Sequence, residues 1–482
     1  MVQSRQWGGM DNFIKYPPIA KLMSAHPDQS LISFAVVEGL LMTYSEDFLQ
    51  IQQMFKENQI DLALCDSFAT ACLDAAIVSN IPVVLTSTLG LTSDFVTPYV
   101  NNKYYNTVEL TNERESVWFR IYRDFFRIPY GLYKVAKKTR HALQFQKQVL
   151  NLPPAIDASH KRYENTTKLI NNVFGLELAR PHSPLFHMVG PIISRQYPAL
   201  DNVTATFLNS HSRVAYVAFG QHAVPSDNDL ALILSSLLRL KAEGYIDGIL
   251  WARLDPLQIP TAVRLAGSSL PYSNITVDPD FLISAWAPQF AILQHSSTSF
   301  FLTHGGIGSM HEGLYSGKRL FVFPFFGDQP MNARAVERTN LGRFMDMFDI
   351  VYDKATYEEF YRRIKEVAAD PEHRIQKTVD QYKTHLQIRA SHAVLQSADL
   401  LEECIFASDE YGNLPYRRDA AYDMSWIKRY NLDVYTVVLV CAAVFTWLAV
   451  VTVLPMTIRL LLQLHSIVTM EKQEANTKLK SL

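Results

Sequence analysis

Short apolar runs alternate with helical patterns throughout the second half of the chain. Such runs are typical of buried strands, and the segments between them place apolar residues three or four positions apart, as amphipathic helices do. The predicted strands are Val214–Phe219, Gly248–Trp251, Leu282–Trp286, Phe300–Thr303 and Leu320–Phe323, and the predicted helices cover 228–243, 329–340 and the residues from Gly308 onward. This alternation predicts a parallel, doubly wound α/β sheet with right-handed crossovers.

The first half of the chain contains one clear unit of the same kind. A strand is predicted over Ile60–Leu64, a small-residue helix over Thr70–Ser79 and a second strand over Ile81–Leu85. Asp66 comes at the carboxyl end of the first strand. Because ligands bind beyond the carboxyl ends of strands in such sheets, Asp66 is a candidate functional residue.

An aromatic-rich segment follows, from about residue 115 to 150. We predict a helix here with Pro129 as a break. Its aromatic side chains include Trp118, Phe119, Tyr122, Phe125, Phe126 and Tyr130. Aromatic residues at helical spacing generally belong to a core, so we expect them to be buried. The alternative is that they line a pocket for an apolar ligand.

Near the C-terminus, Val434–Ile458 carries no charged residue and is rich in Val, Leu, Ala and Phe. At ~1.5 Å per residue a helix of this length covers ~37 Å, more than the ~30 Å hydrocarbon core of a bilayer. The run therefore predicts one transmembrane helix. Basic residues lie on both sides of it, so their distribution does not choose an orientation.

The sequons at Asn165, Asn202 and Asn274 all precede the predicted span. Their position favours a lumenal location for the larger part of the chain, since such sites are glycosylated in secreted proteins. The opening residues contain no apolar leader of the kind that a signal peptide needs. We expect a single-pass protein of the endoplasmic reticulum membrane with its larger part in the lumen.

The overall charge excludes one class of partner. The chain has 45 basic and 47 acidic residues and a net charge of −2, which does not predict nucleic-acid binding. Its cysteines are Cys65, Cys72, Cys404 and Cys441. They lack the spacing of a zinc site and are too few for a disulfide scaffold.

The loop Thr303–Ser309 joins a predicted strand to a predicted helix and contains three glycines. Glycines allow the backbone to approach a ligand closely, and the amides of a helix N-terminus can hold phosphate oxygens. Ser309 can donate to a diphosphate, and His304 supplies a further donor at the end of the strand. The loop is therefore a candidate diphosphate site.

Other ligand motifs fit this part of the chain less well. Gly317-Lys318 is followed by Arg319, so it is not a Walker A loop. The dinucleotide fingerprint requires glycine at position 311, where the chain has histidine. Asp278-Pro279-Asp280 matches the Asp-x-Asp pattern of metal-dependent GT-A glycosyltransferases, but a proline turn of this kind also commonly begins a strand.

Read as a whole, the segment from Trp286 to Gln329 resembles the donor-binding signature of the UDP-glycosyltransferase family. The shared residues are Trp286-Ala-Pro-Gln289, His304-Gly-Gly, Glu312-Gly313 and Asp328-Gln329. In the plant branch of the family this signature spans 44 positions, and Trp286 to Gln329 also spans 44. The resemblance implies a GT-B fold, in which a cleft separates two Rossmann-like doubly wound lobes, and an α/β class with one added transmembrane helix.

The resemblance also implies a role for each matched residue. Trp286 would stack on uracil with Gln289 against the uridine, and Glu312 would accept hydrogen bonds from both ribose hydroxyls. The other matched residues would surround the diphosphate and the sugar: His304, Gly306, Gly308, Ser309, Asp328, Gln329 and Gly220. The plant signature has an asparagine where this chain has Gly308 and an aromatic residue where it has Ile307.

Catalysis in this family uses a histidine base that an aspartate orients, and Asp66 matches the aspartate. The histidine is expected in a Gly-His loop after the first strand of the lobe, and no such loop is found. His26 precedes Pro27 and follows a helical pattern, so we expect it at the surface. The first lobe is therefore expected to be N-terminally shortened.

These expectations divide the chain into six parts. We predict an acceptor-binding lobe at 1–195, a linker at 196–212, a UDP-sugar-binding lobe at 213–405, a juxtamembrane segment at 406–432, a transmembrane helix at 433–458 and a polar tail at 459–482.

The predicted activity is inverting transfer of a hexose, glucose being expected, from a UDP-sugar to a hydroxyl of a lipophilic small molecule. The UDP-sugar is a co-substrate, no metal or other cofactor is expected, and the bilayer is the remaining partner. The first alternative is a membrane-bound UDP-sugar-binding protein without turnover. The second is a metal-dependent enzyme built on Asp278 and Asp280.

Overall fold

The structure, a computed structural model, describes residues 29–90, 92, 95, 97–101, 109–220, 223–252, 262–265, 268–271, 278–284, 286–346 and 350–479. The chain forms two compact units, Met1–Arg417 and Arg418–Leu482. His26 and Asn274 lie outside the described residues.

The first sheet of the larger unit contains four parallel strands in chain order. They are β1 (Ala63–Asp66), β2 (Val83–Ser87), β3 (Thr167–Ile170) and β4 (Phe186–Met188). The associated helices are α1 (Gln29–Met42), α2 (Tyr44–Asn58), α3 (Thr70–Val78), α4 (Val117–Tyr122), α5 (Ile128–Lys138) and α6 (Arg140–Gln144), with π-helical turns at Arg123–Arg127 and Phe145–Val149 and a 3-10 turn at Lys161–Tyr163. The predicted strand-helix-strand unit is confirmed as β1, α3 and β2.

The second sheet contains six parallel strands in the order β12-β11-β10-β5-β6-β9. The strands of this sheet are β5 (Val214–Ala218), β6 (Gly248–Ala252), β9 (Phe281–Ser284), β10 (Thr298–Thr303), β11 (Arg319–Val322) and β12 (Gly342–Phe344). Two further strands, β7 (Ala262–Leu265) and β8 (Ser268–Pro271), form a separate antiparallel hairpin. All five strands predicted from the apolar runs are present. β5 and β6 are buried along their whole length, as continuous apolar runs in parallel sheets are.

Helices cover this second sheet and continue beyond it. They are α7 (Asn202–Ser210), α8 (Asp227–Ala242), α9 (Gln289–Gln294), α10 (Ile307–Tyr315), α11 (Gln329–Arg338), α12 (Lys354–Ala369) and α13 (Arg374–Ala407), followed by a 3-10 turn at Pro415–Arg417. The helix expected from Gly308 is α10, which begins one residue earlier.

The 34-residue helix α13 packs on both hydrophobic cores. Its first half buries Ile375 and Leu386 in the core of the second sheet. Its last turns bury Leu400 and Cys404 against strands β2 and β3 of the first sheet. At ~1.5 Å per residue the helix is ~50 Å long, enough to link the two cores.

The smaller unit contains α14 (Trp426–Arg429) and α15 (Leu432–Leu479). Within α15, Leu432–Gln473 is long and apolar enough to cross a membrane, and it is the one such helix among the described residues. The predicted span Val434–Ile458 lies inside it. This helix indicates a single-pass membrane anchor.

The expectation that the aromatic segment is core is wrong for most of its residues. Trp118 is 79% exposed and Phe125 is 74% exposed, and Tyr122, Phe126 and Tyr130 are exposed as well. Pro129 does not break the helix, because it lies in the first turn of α5, where a missing N–H is tolerated. The buried residues of α5 are instead the small Gly131 and Val135, and Gly131 lies against the ring of Phe34.

Cys65 and Cys72 form a disulfide that joins the end of β1 to α3. The four cysteines do not form a disulfide scaffold, but two of them do form this one pair. Sequence spacing did not reveal the pair, because the contact depends on the turn between β1 and α3 folding the two residues together.

A buried carboxylate holds several elements around the first sheet together. Asp74 of α3 is fully buried, accepts a hydrogen bond from the Tyr44 hydroxyl of α2, and lies 2.8 Å from the donating hydroxyl of Tyr163. The Arg162 guanidinium, also buried, donates to it over 2.6 Å. Burial raises the pKa of Asp74 although Arg162 opposes the shift.

Replacing Asp74 with alanine should strongly destabilise the larger unit, because Arg162 would remain buried without its counter-charge. We expect the free energy of unfolding to fall by about 3 to 5 kcal/mol. Denaturant unfolding of the purified full chain measures this loss. The control is Glu38→Ala, which removes a more exposed ion pair with Lys138 and should cost less than about 1 kcal/mol. Equal losses in the two variants would contradict the interpretation.

Candidate functional site

The strand order of the second sheet reverses between its two central strands. From β5 the chain adds β6 and β9 on one side and then returns to add β10, β11 and β12 on the other. Gly220 follows β5 and His304 follows β10. A Cβ atom on Gly220, whose φ is +70°, would lie 2.9 Å from the Cε1 atom of His304. The two loops therefore touch at the switch point, where ligands bind in sheets of this type.

The loop after β10 is shaped by its glycines. Gly305 has a φ of +87°, and a Cβ atom on Gly306 would lie 2.4 Å from the imidazole Nε2 of His304. Gly306 is the N-cap residue of α10 and provides no capping side chain. The first amides of a helix lack intrahelical acceptors and attract anions. The beginning of α10 can therefore hold a diphosphate.

A cavity of about 510 Å³ lies above this loop, within the usual range of ligand sites. Nine of the ten donor-site residues expected from the sequence line it: Gly220, Trp286, Gln289, His304, Gly306, Gly308, Ser309, Asp328 and Gln329. Trp286 and Gln329, the two ends of a 44-residue segment, thus meet at one cavity.

The tenth expected residue, Glu312, lies one helical turn behind the cavity wall. Its Oε2 accepts a hydrogen bond of 2.6 Å from the Nε2 of Gln289, which also lies 3.3 Å from the Ser309 hydroxyl. Burial raises the pKa of Glu312, and the Gln289 hydrogen bond partly opposes that shift. The Gln289 side chain therefore holds the Glu312 carboxylate in place. A ligand hydroxyl can replace Gln289 as the hydrogen-bond donor to this carboxylate.

Trp286 is 61% exposed although it lines the cavity. An exposed indole in a concave wall offers a flat apolar surface on which a planar ring can stack. Its neighbour Ala287 lines the same wall. The geometry suits an aromatic base at this end of the cavity.

Another part of the cavity wall is built at the start of α11. The Nδ2 of Asn332 donates to the Asp328 carboxylate over 2.7 Å and to the Gly305 carbonyl over 2.8 Å. The Oε1 of Gln329 accepts from the backbone amides of Phe325 and Phe326. Burial raises the pKa of Asp328 to about 6. Sequence reasoning missed Asn332, although its position one turn after Asp328 placed it on the same helix face.

One residue of the first sheet also lines this cavity. Thr88, which follows β2, faces the residues contributed by the second sheet. Sequence reasoning missed Thr88 and also the cavity-lining residues Tyr216, Ala218, Ala223, Ala252, Ile307 and Phe326. Apolar and small residues of this kind carry no chemical signal in a sequence, and only the convergence of the two sheets identifies them.

Asp66 lies at the end of β1, paired in register with Thr86 of β2, and it lines neither described cavity. Its Oδ1 accepts a hydrogen bond of 2.9 Å from the amide of Phe68. The carboxyl is open to solvent, yet the protein atoms around it displace enough water to raise its pKa. Within the described part of the chain no histidine is hydrogen-bonded to Asp66.

A second cavity of about 290 Å³ adjoins β2 on the side of the first sheet. It is largely apolar, and its walls include Phe68, Leu89, Ile128, Leu132 and Ile156. Ser87 and Leu89 line this cavity and Thr88 lines the larger one, so the end of β2 borders both cavities.

His160 also lines the second cavity, but its geometry is that of a donor and not of a base. Its Nδ1 accepts a hydrogen bond of 3.1 Å from the amide of Arg162. The neutral ring therefore carries its proton on Nε2. Burial and the Arg162 guanidinium lower the pKa of His160, which favours that neutral form.

The acidic pair Asp278 and Asp280 has a cationic partner within the protein. Lys241 lies 2.6 Å from one carboxylate and 2.8 Å from the other, and His211 lies 3.1 Å from Asp280. Both aspartates precede β9, and neither lines the described cavities. These ion pairs explain the Asp-Pro-Asp sequence as a strand entry, so the metal-dependent alternative loses its basis.

Comparisons with known proteins agree with this geometry. Residues 45–377 match the sequence profile described as UDP-glucuronosyl and UDP-glucosyl transferase. UDP-glycosyltransferase 1 of Phaeomoniella chlamydospora is 30% identical over 341 residues, which are 68% of this chain and 66% of that protein. UDP-glycosyltransferase FPY2 of Fusarium mangiferae is 28% identical over 58% of this chain and 57% of that protein. The matched part thus spans under two thirds of the length of these relatives.

Solved structures show the same fold. UGT71G1 of Medicago truncatula, crystallised with UDP-glucose, superposes with a TM-score of 0.53 at 17% identity, over 78% of this chain and 83% of that one. Similarity at this level establishes the architecture. The predicted α/β fold of GT-B type, with two parallel sheets and an additional apolar helix, is confirmed.

A pair of glycine variants tests the anion-binding loop. In Gly306→Ala the new methyl group would displace the His304 ring, whereas the same group at Gly244, which lines neither cavity, meets nothing within 4 Å. We expect Gly306→Ala to weaken UDP binding about tenfold, equivalent to ~1.4 kcal/mol, and Gly244→Ala to leave it nearly unchanged. Isothermal titration with UDP measures both affinities. An equal effect of the two substitutions would contradict the assigned loop geometry.

The raised pKa of Asp328 predicts a pH-dependent contribution to stability. Between pH 3.8 and about 6 the folded protein keeps a proton on Asp328 that the unfolded chain has lost. This carboxyl therefore stabilises the fold less as the pH rises through that window. Asp328→Asn removes the dependence, so the stability of the variant relative to the native chain should increase from pH 3.8 to about 6. Urea unfolding at several pH values measures the difference, and parallel curves would refute the prediction.

Proposed function

Since the chain belongs to the UDP-glucuronosyl and UDP-glucosyl transferase family, we propose that it transfers a hexose, glucose in the first instance, from a UDP-sugar to a hydroxyl of a lipophilic small molecule with inversion. In this proposal residues 1–195 form the acceptor lobe, 196–212 the linker and 213–405 the donor lobe. The segments 406–432, 433–458 and 459–482 are the juxtamembrane segment, the membrane span and the tail.

The observation that carries the proposal is the convergence of the signature residues on one cavity. The cavity wall contains an exposed indole, Trp286, the N-terminus of α10, and the side chains of Asp328 and Gln329. An aromatic surface, an anion site and paired hydroxyl acceptors suit the uracil, the diphosphate and the sugar of a UDP-sugar. Glu312 would accept from the ribose hydroxyls in place of Gln289.

In the proposed reaction an acceptor hydroxyl attacks the anomeric carbon of the sugar. The new glycosidic bond forms as the bond from that carbon to the β-phosphate oxygen breaks, and the hydroxyl proton passes to water. UDP leaves with the bond electrons, and its developing negative charge is stabilised by the amides of α10, by Ser309 and by His304. Because fixed dipoles of the protein supply this stabilisation, no metal is required in the proposal.

The acceptor would occupy the smaller cavity. Its walls are apolar over most of their area, and Ser67, Ser87 and Ser159 provide a few hydroxyl groups near its edge. An apolar cavity with few polar groups favours a lipophilic alcohol or phenol. Residues at the end of β2 border both cavities, and the proposal places the acceptor hydroxyl and the sugar on the two sides of this segment.

We also propose that the larger unit is lumenal in the endoplasmic reticulum. The Cys65–Cys72 disulfide supports an oxidising compartment, since the cytosol keeps such pairs reduced. Asn202 of one sequon is exposed in the first turn of α7. Both observations agree with the sequons that favoured this side of the membrane.

A second candidate function is UDP-sugar binding without turnover. It is favoured by one observation, that Asp66 has no histidine partner among the residues that the structure describes and that His160 presents a donor. UDP would then bind as tightly as in an enzyme, and no UDP would be released from UDP-glucose.

Glu312→Gln tests the donor site, because an amide cannot accept from two ribose hydroxyls as a carboxylate does. The loss of a charge-assisted interaction of about 1.5 to 3 kcal/mol should weaken UDP binding about ten- to a hundredfold. Isothermal titration of the full chain measures this change. The matched control is Glu358→Gln, which alters an exposed glutamate of the same lobe. Equal affinity in all three proteins would remove the ribose assignment.

Turnover is measured separately, as UDP released from UDP-glucose with 4-nonylphenol as acceptor. The proposed transferase releases UDP only when the phenol is present, and Asp66→Asn should reduce the rate without weakening UDP binding. Tight UDP binding with no release for a panel of phenols and alcohols would favour the second candidate function.

A further inference from the structure

The outer surface of α4, the following π-helical turn and α5 is covered by unburied aromatic side chains. We call this surface the aromatic face, and its residues are Trp118, Tyr122, Phe125, Phe126, Tyr130 and Tyr133, each between 57% and 79% exposed. Exposure of large apolar side chains forgoes the free energy that their burial would contribute. Contiguous exposed apolar surface of this kind marks an interaction site.

The charges around the aromatic face have one predominant sign. Residues 117–140 contain seven basic side chains and one acidic side chain, whereas the whole chain has a net charge of −2. The basic residues are Arg120, Arg123, Arg127, Lys134, Lys137, Lys138 and Arg140, and the acidic residue is Asp124. Asp124 and Glu115 pair with Arg123, and Glu38 pairs with Lys138. The excess of positive charge suits an anionic surface.

Tryptophan, tyrosine and phenylalanine combined with lysine and arginine are the composition of surfaces that lie in the headgroup region of a bilayer. The rings enter the boundary between headgroups and acyl chains, and the cations meet lipid phosphates. A polar protein partner would need paired hydrogen-bonding groups, which this face supplies sparsely. Lys134 lies 4.6 Å from the centre of the Tyr130 ring, so cation and ring already share one site.

Helix α5 has a different role on its inner side. Ile128 and Leu132 line the smaller cavity, and Gly131 and Val135 are buried against the first core. Tyr130 and Tyr133 of the same helix are exposed. One helix therefore separates the apolar cavity from the aromatic face.

We propose that the aromatic face is a docking surface for an anionic lipid bilayer. The apolar helix α15 tethers the chain to a membrane and so raises the effective concentration of bilayer near the larger unit. Docking places α5 between the lipid and the cavity. Under the proposed function, this arrangement lets acceptors dissolved in the bilayer reach the cavity without crossing bulk water; only this consequence depends on the transferase activity.

The test uses the full chain in nanodiscs of phosphatidylcholine and phosphatidylserine, with Trp118 as the reporter. Brominated acyl chains quench tryptophans that contact the bilayer. The contribution of Trp118 is the difference between the native chain and Trp118→Phe, which keeps an aromatic ring and leaves the other tryptophans unchanged. We expect brominated lipid to remove most of this contribution, and aqueous iodide to have little effect on it.

Two triple variants show whether the aromatic face is responsible. Replacing Phe125, Phe126 and Tyr130 with glutamine should restore most of the Trp118 fluorescence in brominated discs. The matched control replaces Ile388, Val394 and Leu395 with glutamine. These residues are similarly exposed on α13, and their replacement should leave the quenching of Trp118 unchanged. Discs without phosphatidylserine should quench Trp118 less, because the basic residues lose their counter-charge.

Two results would overturn the proposal. Trp118 fluorescence that is equal in brominated and ordinary discs would show that the face does not contact lipid. If iodide also failed to reach Trp118, a second copy of the chain or residues 1–28 would be the occupant. UDP release in the same discs is a separate measurement, so absent turnover with quenched Trp118 refutes the proposed function and leaves the docking surface intact.

Discussion

The candidate site depends on the reversal of strand order between β5 and β10. In a parallel sheet, crossovers on opposite sides diverge at this point and leave a crevice that no helix fills. The contact between Gly220 and His304 shows how closely the two loops approach there. A side chain at Gly306 would displace the imidazole of His304. The backbone path, more than any one functional group, therefore creates the anion site.

The two sheets contribute unequally to the chemistry. The second sheet supplies a donor cavity whose polar groups hold one another in position, as the Gln289–Glu312 and Asp328–Asn332 hydrogen bonds show. The first sheet supplies Thr88, Asp66 and an apolar cavity. Helix α13 packs on both cores and so joins the two sheets that border the cavities.

The first sheet also combines stability with surface chemistry. The Cys65–Cys72 disulfide and the Asp74 cluster connect β1, α3, α2 and the Arg162 turn beside the smaller cavity. A rigid inner wall allows α5 to carry exposed aromatic residues on its outer side without loss of its position.

The sequence by itself determined five of the six strands of the second sheet, because buried parallel strands are continuous apolar runs. It also predicted nine residues that line one cavity, because Trp286 to Gln329 has a specific spacing. It also identified the membrane helix from length and lack of charge. Only the tertiary structure decided that the aromatic segment is exposed and that Cys65 and Cys72 form a disulfide. It also decided that Thr88 and Asn332 lie at the candidate site. These depend on contacts between distant segments: helical spacing places Trp118 and Phe125 on a face, but neighbouring elements decide whether that face is covered.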